Sequence, residues 1–232
     1  MLEMCAKVDD APFKNWAGTG EGDMPDYDKI GGPHIIAQQE RRYGCYRCPI
    51  ACGGIMKPSK GEYKWGEHAH KPEYETQAMF GTNLLVNDVD SIIMANDICN
   101  RSGIDTIGAG AVVAFAMECY ENGIITADDA DGMELKWGDH KTAIKLLEKV
   151  CSRDGLGDVL ADGVKAAAEK IGKESEKYAM HVGGQEIPAH DSRGGHAFAI
   201  AYVAEPTPGR HTMGGEMPQP PGIMPEYDPS TY

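Results

Sequence analysis

Three thiols stand close together in the stretch Gly44 to Gly54, GCYRCPIACGG: Cys45, Cys48 and Cys52, spaced C-x2-C-x3-C. Thiolates at this density hold metal, and the spacing discriminates among the metals. A structural zinc site takes four donors, usually from a second C-x2-C pair or from later histidines. Cys45 and Cys48 form the one such pair, and His68 and His70 are the histidines placed to complete a set. The radical-SAM loop has the opposite order, C-x3-C-x2-C. Unligated thiols are a third reading, poorly matched to a loop flanked by glycine. An iron–sulfur cluster suits the stretch best: it binds thiolates, and Gly44, Pro49, Gly53 and Gly54 let backbone N–H groups turn toward the sulfides.

The charge around these cysteines departs from the rest of the chain. Between His34 and Lys64 lie Arg41, Arg42, Arg47, Lys57, Lys60 and Lys64 against Glu40 and Glu62, a local balance of +4 within a chain of −14. This is either a solvated basic turn or a docking patch for an acidic electron carrier, steered by complementary charge. The overall negative charge argues against a nucleic-acid partner, which requires a cationic face. No apolar run reaches the roughly 20 residues of a membrane span. The opening MLEMCAKVDDAPF lacks a basic segment followed by an apolar one, so a cytoplasmic protein is expected. The seven cysteines do not suggest a disulfide framework. Cys99, Cys119 and Cys151 fall at helical apolar positions and read as small buried hydrophobes.

With 232 residues, 41% of them hydrophobic and 25% charged, the chain has room for one large globular domain or two small ones. Residues 1–33, rich in Gly, Pro and Asp, read as irregular. HIIAQQERRYG predicts a short helix ahead of the cysteine loop, and 53–71 a turn or hairpin bending at KPSKGEYKW. Helices then dominate. PEYETQAMFGTNLL opens with Pro72 at a plausible first helical position. NDVDSIIMANDICNRSG has Asn87 or Asp88 as N-cap and Gly103 as the glycine that ends it. IDTIGAGAVVAFAMECYENG, from Asp105 to Gly123, is apolar nearly all round and so predicts a helix buried on every side. DHKTAIKLLEKVCSRDG is amphipathic through Ala143, Ile144, Leu147, Val150 and Cys151, and DVLADGVKAAAEKIGK follows with small residues that allow close packing. After about Lys177 the texture changes to Gly, His and Pro, with seven of the 14 prolines between Pro206 and Pro229.

Five blocks, RRYGCYRCPIACGG, HKPEYET, NRSGIDTIGAGAVVAFAMECYENGIIT, IPAHDSRGG and PTPGRHT, occur in an order that resembles the tungsten-containing aldehyde:ferredoxin oxidoreductases. The resemblance covers essentially the whole chain but only the middle of such an enzyme. It implies a mostly α fold, the multihelical domain of the aldehyde ferredoxin oxidoreductase C-terminal type over 1–180, with an incomplete start of the following domain at 181–232. The family's N-terminal β-rich domain has no counterpart here. The resemblance further implies that Cys45, Cys48 and Cys52 hold three corners of a [4Fe–4S] cluster whose fourth cysteine lies beyond Tyr232. Cys99, Cys119 and Cys151 do not match that fourth ligand.

By the same resemblance Glu75 matches the active-site glutamate beside the metal, with Glu73 as fallback; as bare residues both are first-turn carboxylates at a helix N-terminus. Asn100, Gly103, Ile104 and Asp105 match a D-x-x-G-L-D/C pterin-contact motif, with Asn in place of Asp and Ile in place of Leu. The same residues also read as a helix stop and a helix start. His211 matches the active-site histidine that would polarise or protonate an aldehyde oxygen, with His190, Asp191 and Arg193 weaker candidates. The implied enzyme oxidises a small aldehyde to a carboxylate at a tungsten or molybdenum bis-pyranopterin and passes electrons through the cluster to ferredoxin, in a homo-oligomer or complex. The alternatives are the tungsten subunit of a benzoyl-CoA-reducing complex and a non-catalytic helical module that carries the cluster.

Overall fold

A helix that is apolar on every side has to be surrounded, and the chain is organised around one. A computed structural model describes residues 1–194 and 196–211; of the expected second domain, 212–232 lie outside the described residues. In chain order the helices are α1 (Leu2–Lys7), α2 (Gly20–Asp23), α3 (Gly32–Ala37), α4 (Tyr74–Phe80), α5 (Val89–Ser102), α6 (Thr106–Glu121), α7 (His140–Ser152), α8 (Leu156–Leu160), α9 (Val164–Ile171) and α10 (His196–Ala204). The strands are β1 (Gln39–Tyr43), β2 (Gly53–Met56), β3 (His181–Val182) and β4 (Gln185–Glu186), in two antiparallel pairs, β1–β2 and β3–β4. The protein is mostly α, as the sequence predicts.

α6 is the axis. Ala109 through Met117 and Cys119 are all buried, and α4, α7 and α9 pack around it. Small residues allow the close approach: a Cβ on Gly110 would lie 2.6 Å from Met79 Cβ and 2.8 Å from Met79 O of α4. α5 and α6 meet at a bend of 118°. The hinge is built from local chemistry: Asp88 caps α5, Gly103 ends it in the left-handed region at φ 68°, and Asp105 Oδ2 accepts from Gly108 N–H at 2.7 Å to start α6. Among the described residues, no single helix is long and apolar enough to cross a membrane.

Several expectations are corrected. Residues 1–33 are not irregular throughout: α1 buries Leu2, Cys5 and Ala6 in the main core, and six residues are too few for that periodicity to register. The helix predicted over 34–44 ends at Ala37, and Gln39–Tyr43 instead pairs with β2 in the register Tyr43↔Gly53, Arg42↔Gly54, Arg41↔Ile55. A hairpin thus spans the cysteine loop, and the expected turn over 53–71 is present beside it, with Ile55 paired antiparallel to His70. Pro72 precedes α4, whose N-cap is Glu73. The segment DVLADGVKAAAEKIGK is two helices, parted at Gly163 with φ 92°. Of the cysteines read as buried, Cys99 and Cys119 are so, while Cys151 is half-buried at the core's edge.

A smaller cluster of Ile35, Met56, Trp65, Ala69 and Ile93 fixes β2 against α5. The chain returns beside β2 through Met56 N–H to Ala69 O at 2.9 Å and Lys71 N–H to Gly54 O at 2.8 Å, and enters α4 directly afterwards.

Candidate functional site

The sequence-predicted residues fall at three places. The cysteine loop is the tip of the β1–β2 hairpin. Cys45 and Cys52 are exposed and Cys48 half-buried. The loop is shaped without help from a core: Cys48 N–H donates to Cys45 O at 2.9 Å, Arg47 and Ala51 take left-handed φ of 60° and 47°, and Arg42 Nη2 donates to Ile50 O at 3.2 Å and Ala51 O at 3.1 Å. Arg42, counted as a surface charge from sequence, therefore braces the loop. Gly53 is required where it stands, because a Cβ there would lie 2.6 Å from the Tyr43 ring. The donor set is three thiols on one accessible tip, and their sulfurs are not gathered as for a single ion. Among the described residues, the sets of three His, Cys, Asp or Glu with all donor atoms within 4.8 Å are Cys5–Asp10–His190 and Glu75–His190–His211. Tetrahedral zinc would draw the sulfurs to about 3.8 Å from one another; an iron–sulfur cube binds each sulfur to a separate iron. His70, offered from sequence as a further zinc ligand, has its Nδ1 2.8 Å from the Tyr43 hydroxyl.

The second place is built around Glu75, in the first turn of α4. Its Oε2 accepts from Ala189 N–H at 2.7 Å. Its Oε1 is buried without a hydrogen-bond partner among the described residues, 3.2 Å from His211 Nε2 and 3.8 Å from His190 Nε2. Burial pushes the carboxyl up to about 7, opposed by the Ala189 N–H and the His190 charge. Burial also lowers His211, helped by the charge of His190. Near neutral pH the Glu75 proton is thus held loosely beside an uncharged imidazole, the arrangement general acid–base work needs. Glu73 is exposed and pairs with Lys71 at 3.6 Å, away from this cluster.

His211 stands at the junction of two cavities. One, of about 300 Å³, is lined mainly by α10 through Ala197, Phe198, Ile200, Ala201 and Ala204. The other, of about 390 Å³, is lined by Asp105, Ile107, Gln185, Glu186 and Arg210. Asp105 and Ile104 also face a third cavity of about 200 Å³ beside Glu186 and Gly163. So the third place, the α5–α6 hinge, opens toward the second: Asp105 shares a cavity with His211, while Asn100 and Gly103 are exposed on the last turn of α5.

Two residues near Glu75 carried no such signal in the sequence. Asp10 lies in the segment read as irregular, yet it is 2% exposed and its Oδ2 sits 2.7 Å from His190 Nδ1. Tyr74 packs on the His190 ring and donates its hydroxyl to Ala189 O. Asp191 and Arg193 form a local clasp instead: Arg193 Nε reaches both Asp191 oxygens at 3.0 Å and Arg193 Nη2 donates to Trp16 O at 2.7 Å.

A family model described as "Aldehyde ferredoxin oxidoreductase, domains 2 & 3" matches residues 1–232. The chain belongs to the aldehyde ferredoxin oxidoreductase family. It is 36% identical over 187 residues to a tungsten-containing aldehyde ferredoxin oxidoreductase of Pyrococcus furiosus, covering 80% of this chain and 30% of the relative. The corresponding protein of Thermococcus kodakarensis is 38% identical over the same shares. An aliphatic sulfonate oxidoreductase, WOR-like subunit, of Pyrococcus furiosus is 37% identical over 215 residues, 89% of this chain and 34% of the relative. The chain spans about a third of the length of the curated relatives it matches. Among solved structures, the active-site complex BamBC of benzoyl coenzyme A reductase in complex with 1,5-dienoyl-CoA aligns with a TM-score of 0.68 at 22% identity, over 87% of this chain and 30% of that one. That likeness is one of fold. The family's chemistry is oxidation–reduction, and the expected multihelical domain is the one the family model covers.

Proposed function

We propose that this chain is the part of an aldehyde:ferredoxin oxidoreductase that holds the iron–sulfur cluster, contacts the pterin and supplies the proton-handling side chains. The observation that carries this reading is the Glu75 carboxyl, buried with Oε1 unpartnered, beside His211 at the mouth of two cavities. A buried carboxyl oxygen without a partner is costly in a structural role and useful beside a reacting group. Cys45, Cys48 and Cys52 would hold a [4Fe–4S] cluster, and Asn100, Gly103, Ile104 and Asp105 would contact the pterin. When bound, a tungsten or molybdenum bis-pyranopterin supplies the two-electron redox chemistry and the cluster hands electrons on singly.

The chain's own residues then have definite tasks. Glu75 takes a proton from the water that becomes the new carboxylate oxygen. His211, neutral at working pH, donates a ring N–H hydrogen bond to the aldehyde oxygen and so polarises it. The apolar α10 wall excludes water from the cavity beside it. The basic surface around the cysteine loop favours an acidic acceptor such as ferredoxin.

The test uses the full-length protein purified anaerobically. Tungsten or molybdenum with sulfide-bridged iron is expected, with oxidation of aldehydes coupled to ferredoxin and no turnover of aryl-CoA thioesters. Glu75→Gln should lower turnover by about 10²-fold or more at unchanged metal content. Absence of both heavy metals overturns the function; wild-type turnover in Glu75→Gln removes Glu75 from it.

A further inference from the structure

Oxidation of an aldehyde by water to a carboxylic acid releases two protons with its two electrons. A single carboxyl stores one. The surroundings of Glu75 hold a second place. His190 is 2% exposed, and Asp10, equally buried, faces its Nδ1 at 2.7 Å. The two segments are also locked together by Asp191 N–H donating to Asp10 O at 2.6 Å, by Tyr202 donating to His190 O at 2.7 Å, and by Phe198 stacked on the ring at 4.8 Å. A carboxylate at Nδ1 keeps the proton there and leaves the Nε2 lone pair free. That nitrogen faces Glu75 Oε1 at 3.8 Å. Small rotation of the carboxyl closes the gap, as such bonds tighten when a site is loaded.

We propose that His190, oriented by Asp10, is a positioning residue that takes up the proton leaving Glu75 and so frees that carboxylate for a second proton in the same turnover. In the step, the Glu75 O–H bond breaks and a His190 Nε2–H bond forms; the Nδ1–H stays on the ring and is donated to Asp10 Oδ2, whose negative charge offsets the imidazolium. The stored proton returns through Glu75 to His211, which lies toward the cavities. The other groups facing the pair do not compete. Cys5 of α1 is pushed up to about 12 by burial, and burial lifts Tyr74 of α4 and Tyr202 of α10 far above the ordinary tyrosine range, so all three are neutral. Asp105, the N-cap of α6, disfavours charge on Glu75, as does Asp10. Asp191 is held by Arg193.

This inference rests on the role proposed for Glu75, and the experiment separates the two. In full-length protein, the infrared carbonyl band of protonated Glu75, assigned by its loss in Glu75→Gln, is followed against pH beside the pH profile of kcat. His190→Gln removes the base whose protonated form favours ionised Glu75. The band should persist about one pH unit higher or more, and the acid limb of kcat should move with it, with turnover at pH 7 down about ten-fold. Asp10→Asn, nearly isosteric, should move histidine ¹⁵N signals from the Nδ1–H to the Nε2–H tautomer and shift the band likewise. If both variants leave band, limb and tautomer as in wild type while Glu75→Gln is impaired, the His190 relay is wrong and Glu75 stands. If Glu75→Gln turns over normally, the role of Glu75 falls, and the relay with it.

Discussion

Replacing Glu75 by Gln should stabilise the protein at alkaline pH, although the proposed function requires the carboxyl. Burial lifts the carboxyl from 4.5 to about 7. The folded state therefore holds this proton more tightly than the unfolded chain, and stability is lost as pH rises from the unfolded value through the folded one. The difference corresponds to about 3 kcal/mol, fully expressed above about pH 8 and absent below about pH 4. Gln keeps the acceptor for the Ala189 N–H and removes the titration. For a chain of this size the gap is worth roughly 6–12 °C in Tm. The assay is urea or thermal unfolding of wild type and Glu75→Gln from pH 4 to pH 8, read as the difference between the two at each pH. That difference should be small at pH 4 and grow steadily in favour of Gln. A flat difference would refute the reasoning: it would mean that water reaches Oε1 in the folded protein and that the carboxyl titrates near its ordinary value.

Two further outcomes test the scaffold. Gly110→Ala places a methyl against Met79, with contacts at 2.6 and 2.8 Å, and should cost about 1–3 kcal/mol, measured by urea unfolding; an unchanged midpoint would show that α4 and α6 can part freely. Arg42→Ala removes the donors to the Ile50 and Ala51 carbonyls and in the full-length protein should speed iron loss to a chelator by about five-fold, the equivalent of roughly 1 kcal/mol, whereas Arg41→Ala should not.

What was legible from sequence was what is decided within three or four residues. Asp88 and Asp105 each accept from the N–H three residues on, Gly103 takes the left-handed turn that favours glycine, and α6 declares its burial by having no polar face. β1 was misread because its residues, QERRY, are exposed or half-buried: a two-stranded ribbon away from the core has no apolar alternation to display, and good helix formers occupy it. α1 escaped because six residues give one turn and a half of pattern. The partnership of Asp10 with His190 spans 180 positions. Neither residue type nor spacing could reveal it; only the packing of the first loop against the segment after β4 creates it.

The cysteine loop and Glu75 were read as separate motifs, and the fold gives a physical reason for their nearness in sequence. β2 leaves the loop at Gly53 and is flanked on one side by β1 and on the other by the returning segment, through Ile55↔His70 and the Lys71 N–H to Gly54 O bond. Lys71 is four residues before Glu75. A backbone ribbon anchored by Trp65, Met56 and Ile93 thus ties the thiol-bearing tip to the first turn of α4. On the proposed function the separation between the thiol-held centre and the Glu75 site must be held constant, and a hydrogen-bonded ribbon backed by its own apolar cluster holds it better than a loop would. The buried end of that ribbon leads to Glu75 and the exposed end carries the thiols, so one continuous stretch, 39–80, sets both.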